Sequence, residues 1–135
     1  MSSNSENTDT VLEDLRHLSE GLLYQSETDA PLEVVRFSNT APTVEEVTAW
    51  AEKPEESKVE MIKLETFFRP MISAASETTQ ERESVSRFQA LQTYLEQHLK
   101  EVRVYRIGRR RITALVIGRA SNGEWAGVKT ELVET

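Results

Sequence analysis

The last third of the chain has the hydrophobic pattern of three antiparallel β-strands. Residues 102–107, 111–117 and 126–134 are rich in Val, Ile, Thr and Tyr, and the turn residues Gly108 and Asn122-Gly123 separate them. Runs of this composition, separated by short glycine-containing turns, predict strands joined by hairpins. We therefore expect this region to fold as a three-stranded meander.

The middle run, residues 111–117, is apolar on both of its alternating faces. Its even-numbered positions from 112 to 116 carry Ile, Ala and Val, and its odd-numbered positions from 113 to 117 carry Thr, Leu and Ile. A strand that is apolar on both faces needs cover on both sides of its sheet. The pattern therefore predicts an α+β fold with helices on both faces of a mainly antiparallel sheet.

Helical spacing of apolar residues predicts two longer helices. The first covers residues 9–20, with leucines and a valine along one face. The second covers residues 79–100, where Thr78 and Glu81 provide a capping box at its start. It ends in the basic residue Lys100, as the helix dipole prefers.

A second capping box predicts a short helix in the middle of the chain. Thr43 stands three residues before Glu46, and the positions that follow the helical period are 44, 47, 50 and 51. We expect Val44 to belong to this apolar face. Pro54 limits the helix, and the charged residues 53–58 are predicted to form a loop.

The remaining segments divide into strands and loops. Residues 32–37 and 59–64 have the composition of two further strands, and residues 65–68 open a short helical turn. Segments 22–31 and 69–79 contain proline and small polar residues, so we expect both to be irregular loops.

Composition narrows the class of protein. The chain has 135 residues and no cysteine, which predicts one domain over residues 9–135 behind a polar tail at 1–8 and excludes disulfides and thiolate metal sites. We expect no secretory signal and no membrane span, because no apolar run follows a basic segment or is long enough to cross a bilayer. These features favour a cytoplasmic protein.

The chain is acidic, with a formal net charge of −7. This charge disfavours direct binding to nucleic acid and suits a basic protein partner, although solubility alone also explains it. The exception is the basic cluster Arg109–Arg111 at a predicted hairpin tip. It could contact phosphate there, or it could be an exposed turn or a charged edge that resists aggregation, which we favour.

Candidate catalytic chemistry is sparse. His17 and His98 are the only histidines, and neither has a second His or Cys at ligand spacing. No phosphate-binding glycine loop and no hydrolase motif is present. We therefore expect neither an enzyme nor a cofactor. Glu27 and Asp29 place two carboxylates in the loop after the first helix. Such a loop can present binding groups, but taken by itself this segment favours a solvated polar turn.

Ordered short motifs resemble the cyanobacterial nuclease A inhibitor family. They extend over almost the whole chain beyond the N-terminal tail. Each is short, but together they follow the family's order and nearly its spacing. In this sequence they are Glu20–Leu23, Ser26-Glu27, Pro31, Glu33-Val34, Ala41-Pro42, Phe67-Phe68, Arg87–Gln89, Val104–Gly108, Val116–Gly118, Ala126-Gly127 and Val133–Thr135.

The resemblance implies an intracellular inhibitor of a sugar-non-specific, Mg²⁺-dependent DNA/RNA nuclease, with a three-layer α/β/α sandwich fold. It implies that the free carboxylate of Thr135 reaches the nuclease's catalytic Mg²⁺, and that Glu27 contacts the enzyme's basic residues. Asp29 and Glu77 are further candidate contacts. The metal belongs to the partner nuclease. We expect a monomer that forms a 1:1 complex with the nuclease and binds neither nucleic acid nor membrane.

One stretch departs from the family pattern. The family's loop before the long helix carries an interface Trp, whereas Ala75-Ser76-Glu77 has none and is one residue shorter. Either the affinity is lower, or the partner nuclease differs, or Met71-Ile72 supplies another anchor. The alternative function is a protein-interaction adaptor on the same fold with a non-nuclease partner.

Overall fold

A computed structural model describes residues 8–37, 39–73 and 77–134. Helices and strands in this part of the chain follow one another in an α+β order. They are α1 (Thr8–Ser19), β1 (Leu23–Gln25), β2 (Asp29–Pro31), β3 (Glu33–Arg36), α2 (Val44–Trp50), β4 (Val59–Ile62), α3 (Leu64–Ile72), α4 (Thr79–His98), β5 (Lys100–Ile107), β6 (Arg111–Arg119) and β7 (Trp125–Val133).

The main sheet has five strands in the order β3-β7-β6-β5-β4, and every neighbouring pair is antiparallel. The predicted meander β5-β6-β7 is confirmed and supplies the three inner strands. β6 lies at the centre and is buried from Ile112 to Gly118, as its two-sided apolar pattern predicted. β1 and β2 form a separate two-stranded antiparallel sheet.

The buried side chains form two clusters that use alternate residues of β6. One contains Ile112, Ala114 and Val116 together with residues of α1, α3 and α4. The other contains Leu115 and Ile117 together with residues of α2 and Trp125. Successive side chains of a strand point to opposite faces, so the two clusters contact opposite faces of the sheet.

Both predicted capping boxes are present. The Thr43 hydroxyl accepts the N–H of Glu46 at 3.1 Å, and the Glu46 carboxylate accepts the N–H of Thr43 at 2.9 Å. Thr78 and Glu81 make the equivalent pair of bonds at the start of α4. The prediction that Val44 is apolar cover was wrong, because its side chain is 52% exposed while Val47 is fully buried.

Segment 22–31 is a hairpin, not the irregular loop that its turn residues predicted. Tyr24 and Ala30 are opposite each other in the β1–β2 register, and both are buried. Each strand has only three residues, which is too short to give a recognisable period in the sequence. Burial of these two side chains, with Tyr24 in the larger core cluster, therefore decides the conformation.

Three element boundaries also differ from the sequence prediction. Helix α3 continues through Pro70 to Ile72, because buried Phe67 and Phe68 anchor it and Met71 packs on the same core. Strand β4 stops at Ile62, so residue 64 begins this helix instead of ending the strand. Lys100 does not end α4, because Leu99 adopts extended backbone with φ −123° and ψ 148°, is buried, and leads directly into β5.

Candidate functional site

Three of the four residues predicted from the sequence lie within the described structure. Glu27 is exposed at the tip of the β1–β2 hairpin, and Asp29 begins β2, where it pairs with Gln25. Glu77 precedes the N-cap of α4. The fourth, Thr135, lies outside the described residues; the chain is described as far as Glu134.

The Glu27 tip lies directly against the end of β7. The backbone N–H of Val133 donates to the Ser26 hydroxyl oxygen at 3.0 Å. In the opposite direction, the Glu27 N–H donates to the Val133 carbonyl at 3.2 Å. Ser26 and Val133 are 107 residues apart in the sequence. Only the tertiary fold therefore brings Glu27 beside the residues that precede position 135.

The tip itself is a compact turn. The N–H of Ser26 donates to the carbonyl of Thr28 at 2.8 Å, and the N–H of Thr28 lies 3.3 Å from the Ser26 hydroxyl oxygen. A Ser side chain that bonds the backbone two residues later stabilises a turn of this kind. Ser26 therefore shapes the loop and also joins it to β7, while the Glu27 side chain is exposed.

Arg106 connects the end of the chain to the middle of the sheet, and sequence analysis did not single it out. Its guanidinium forms an ion pair with Glu134 and donates to Glu60 at 3.3 Å. Arg106 follows the buried residue Val104 on the same face of β5, and its own side chain is only 19% exposed. A charged residue in the period of a buried strand face needs a partner, and this pattern was the available sequence signal.

Tyr24 forms the buried support of the hairpin. Its phenol donates to the carbonyl of Phe67 at 2.6 Å, and its ring stacks on that of Phe67 with centroids 4.5 Å apart. Burial raises the pKa of Tyr24 to about 12; the nearby Arg106 opposes this shift and Glu134 adds to it. The pKa of this hydroxyl therefore depends on its burial and on the charges of Arg106 and Glu134.

Alkaline unfolding should report on Tyr24. Because its folded pKa of about 12 exceeds its usual value of 10, its contribution to stability is complete below pH 10 and is lost as the pH rises through 12. We expect the urea midpoint of the native protein to fall over this range, and the fall to be smaller in Tyr24→Phe. The two proteins share every other ionisable group, so equal losses would contradict the assignment.

A groove of about 560 Å³ lies beside the Glu27 tip. Its walls come from the hairpin, from α3 and from the end of β7. Glu27, Arg106 and Glu134 all line it. A second groove of about 460 Å³ runs from Gln25 to Thr78 and is lined by Met71. Gln25 and Pro70 border both grooves.

Glu77 does not line the groove that contains Glu27. Its neighbour Thr78 lines the second groove at the start of α4, whereas Gln25 lines the same groove on the hairpin side. The N–H groups of Thr78 and Glu77 both donate to the Glu81 carboxylate and hold its pKa below the usual range. Met71, proposed above as an alternative anchor, is half-buried, and its sulfur accepts the Gln25 N–H at 3.4 Å.

The basic cluster Arg109–Arg111 covers the exposed turn between β5 and β6 and the first residue of β6, and both strands are inner strands of the sheet. It is therefore not a sheet edge. Its backbone is fixed by the Glu134 N–H, which donates to the Arg110 carbonyl at 2.8 Å, and by the Lys53 ammonium, which donates to the Arg111 carbonyl at 2.9 Å. The turn thus borders the end of β7 on the side opposite Glu27.

The histidines and carboxylates do not assemble a metal site within residues 8–37, 39–73 and 77–134. No group of three or more His, Cys, Asp or Glu side chains in these segments is arranged to hold a metal ion. His17 is exposed, and His98 stacks on Tyr94 with ring centroids 3.9 Å apart. None of the helices described here is both long and apolar enough to cross a bilayer.

Comparison with known proteins gives one family. The family described as "Nuclease A inhibitor-like protein" matches residues 9–135, which is almost the whole chain. No curated protein matches significantly.

Proposed function

The chain belongs to the nuclease A inhibitor-like family, and we propose that it inhibits a Mg²⁺-dependent, sugar-non-specific DNA/RNA nuclease by occupying the active site. The edge formed by Ser26–Thr28 and the last residues of β7 makes the contact. The observation that carries this proposal is the pair of hydrogen bonds between Val133 and the Ser26-Glu27 turn. They hold an exposed carboxylate next to the residues that precede Thr135.

The chemistry of the two groups suits a site built for nucleic acid. Mg²⁺ prefers hard oxygen ligands and retains positions for a substrate phosphate. We propose that the carboxylate of Thr135, where it is the free chain end, takes such a position. Glu27 then occupies a basic site that otherwise holds phosphate, through charge-assisted hydrogen bonds. The net charge of −7 supports rapid encounter with a basic nuclease.

The remaining candidate contacts extend along the same side of the molecule. Asp29 is exposed two residues after Glu27, and Glu77 adjoins the second groove, which shares Gln25 and Pro70 with the first. We propose that this groove, including Met71, faces the nuclease where other family members present a Trp. The two core clusters on opposite sheet faces support a three-layer α/β/α arrangement, and this arrangement leaves the edge open to a partner.

A digestion assay tests the proposed function. Purified protein is mixed with a panel of Mg²⁺-dependent, non-specific nucleases that includes the source organism's own enzyme, and cleavage of double-stranded DNA and of RNA is followed. We expect one nuclease to be blocked at a near-stoichiometric concentration of inhibitor. If the whole panel remains active with the inhibitor in excess, the proposed function is wrong.

Replacing Glu27 should weaken inhibition without affecting the fold. Glu27→Ala removes one charge-assisted contact, so we expect the inhibition constant to rise about tenfold. The side chain is exposed, and the bond to Val133 uses the backbone N–H, which alanine keeps. The thermal midpoint should therefore not change.

Glu83→Ala is the matched control for Glu27→Ala, because Glu83 is also exposed but lies on α4 and borders neither groove. Both variants lose one negative charge. If they weaken inhibition equally, the effect is one of net charge, and Glu27 has no specific contact.

The absence of a Trp at residues 75–77 favours one alternative, a protein-interaction adaptor with a non-nuclease partner. The same acidic edge would then bind a different basic protein. Affinity capture from the source organism, followed by identification of the bound protein, separates the two functions. Recovery of a nuclease supports inhibition; recovery of a stoichiometric non-nuclease partner, with no nuclease inhibited in the panel, supports the adaptor.

A further inference from the structure

The outer edge of β7 has two different kinds of support along its length. Strand β3 pairs with β7 only as far as Lys129. Beyond this point, the Thr130 hydroxyl donates to the Pro31 carbonyl at 2.9 Å, and Val133 exchanges hydrogen bonds with Ser26 and Glu27. The last residues of β7 therefore depend on the hairpin, rather than on a neighbouring strand of the main sheet, for their outer contacts.

Acidic side chains accumulate at this end of the sheet. Glu60 on β4 and Glu134 after β7 both bond to Arg106, which projects from β5 between them. The three residues belong to different strands or strand ends, so one guanidinium joins the edge strand β4 to the end of the chain. Without Arg106, both carboxylates would lose the cation that they share.

We propose that Ser26 and Arg106 are positioning residues that hold the end of β7 and the Glu27 turn as one preformed unit before a partner binds. Ser26 fixes Val133 from the outer side, and Arg106 fixes the Glu134 side chain from the sheet face. The inference rests on the proposed function, in which position 135 and Glu27 must enter the nuclease site together. The Ser26 hydroxyl and the Arg106 guanidinium act here through their bonds to the end of β7, and not through a bond to the nuclease.

Preorganisation matters most at a chain terminus. The last residues of a domain fray unless they are tied down, and a disordered end must lose its conformational freedom when it binds. If only a fraction of molecules has the end in place, the apparent dissociation constant rises by the inverse of that fraction. The two bonds therefore raise affinity by keeping the competent arrangement populated in the free protein.

Amide hydrogen exchange in the free protein tests the structural half of this proposal. In Ser26→Ala and in Arg106→Met we expect exchange at Val133 and Glu134 to accelerate about tenfold. Exchange at Val128, which lies between β3 and β6, should not change. Ser26→Thr keeps the hydroxyl and Arg106→Lys keeps the charge, so each should recover at least part of the protection.

Binding rates to the inhibited nuclease test the functional half. The association rate constant should fall in proportion to the ordered fraction that the exchange data give, and the dissociation rate constant should stay the same. For Arg106→Met, the direction of the change in the association rate constant is diagnostic, because this variant makes the edge more acidic. Charge steering alone would therefore accelerate its association with a basic nuclease.

Arg119→Met is the matched control. Arg119 is also on an inner strand and also pairs with a glutamate, Glu101, at 2.9 Å, but it is at the opposite end of β6 from the chain terminus. We expect this variant to change neither exchange at Glu134 nor association. Equal effects in Arg106→Met and Arg119→Met would show a general loss of sheet stability and would overturn the proposal.

The outcomes separate this inference from the proposed function. Unchanged exchange at Val133 and Glu134 in both variants means that no preformed unit exists, even if the native protein inhibits its nuclease. An association rate constant that does not follow a measured fall in the ordered fraction means that the bonds order the chain end but do not serve inhibition, so the inference is wrong. A native protein that inhibits no nuclease removes the proposed function and this inference with it, while the exchange data still decide whether the bonds order the end of β7.

Discussion

A tag or extension added after Thr135 should reduce inhibition at least tenfold and leave thermal stability unchanged. The extension moves the negative charge away and puts a neutral amide where the carboxylate was. Deleting Thr135 should act in the same way, because it withdraws the chain end by about 3.3 Å, the rise of one strand residue. A loss of about 1–3 kcal/mol is reasonable for one charge-assisted contact.

The described structure explains why an extension after Thr135 should not change the thermal stability. The last backbone hydrogen bond described at the chain end joins the Glu134 N–H to the Arg110 carbonyl, and β7 ends at Val133. An extension beyond position 135 leaves both in place. Thr135 is outside the described residues; the family and the position of Glu134 support its proposed role.

The experiment compares three proteins against the same nuclease: untagged, tagged at the N-terminus and tagged after Thr135. Inhibition constants and thermal midpoints are measured for each. We expect only the last protein to inhibit poorly. If it inhibits as well as the untagged protein, the chain-end mechanism does not operate, and inhibition would have to depend on Glu27 and the acidic surface.

Gly127→Ala should cause a large loss of stability. A Cβ atom at this position would lie 1.8 Å from the carbonyl oxygen of Val116 and 2.9 Å from the Cα of Ile117. Both atoms belong to the backbone of β6, the next strand, so they cannot rotate away as a side chain can. We expect a loss on the order of 3 kcal/mol, which corresponds to roughly 10 °C in thermal midpoint.

Gly123→Ala is the control for Gly127→Ala. Gly123 lies in the β6–β7 turn with φ +93°, and an added Cβ would meet no atom within 4 Å. Its substitution should cost only about 1 kcal/mol, the strain of a positive φ in an L-residue. Chemical denaturation of both variants measures the difference. The prediction is contradicted if Gly127→Ala is no less stable than Gly123→Ala.

Gly127 also shows what local sequence reasoning could not anticipate. From sequence alone, a glycine between or within strands signals a turn or a bulge, and Gly108 and Gly123 do occupy turns. Gly127 instead lies inside β7, opposite Ile117. The irregular register is between Lys100 and Arg103, at the start of β5. A close approach between two backbones depends on how the strands pair, which no single segment encodes.

The candidate site was predictable in its parts but not as an assembly. Glu27 and Asp29 were identifiable as carboxylates of a loop after the first helix, and the family resemblance selected Glu27. Nothing in the local sequence indicated that the Ser26 hydroxyl receives the N–H of Val133. Arg106 belongs to no recognised motif, and its ion pairs with Glu60 and Glu134 exist only once β4, β5 and the end of β7 are brought together.

The sequence by itself determined the features that depend on neighbouring residues. The capping boxes at Thr43 and Thr78, the long helix α4 and the two-sided strand β6 follow from side-chain spacing within a few turns or strand steps, so their patterns are readable without a fold. Tertiary structure alone decided the β1–β2 hairpin, the passage of α3 through Pro70 and the contact of Glu27 with the end of β7. In each of these, burial or hydrogen bonding with a distant segment outweighs a local preference for turn, loop or frayed end.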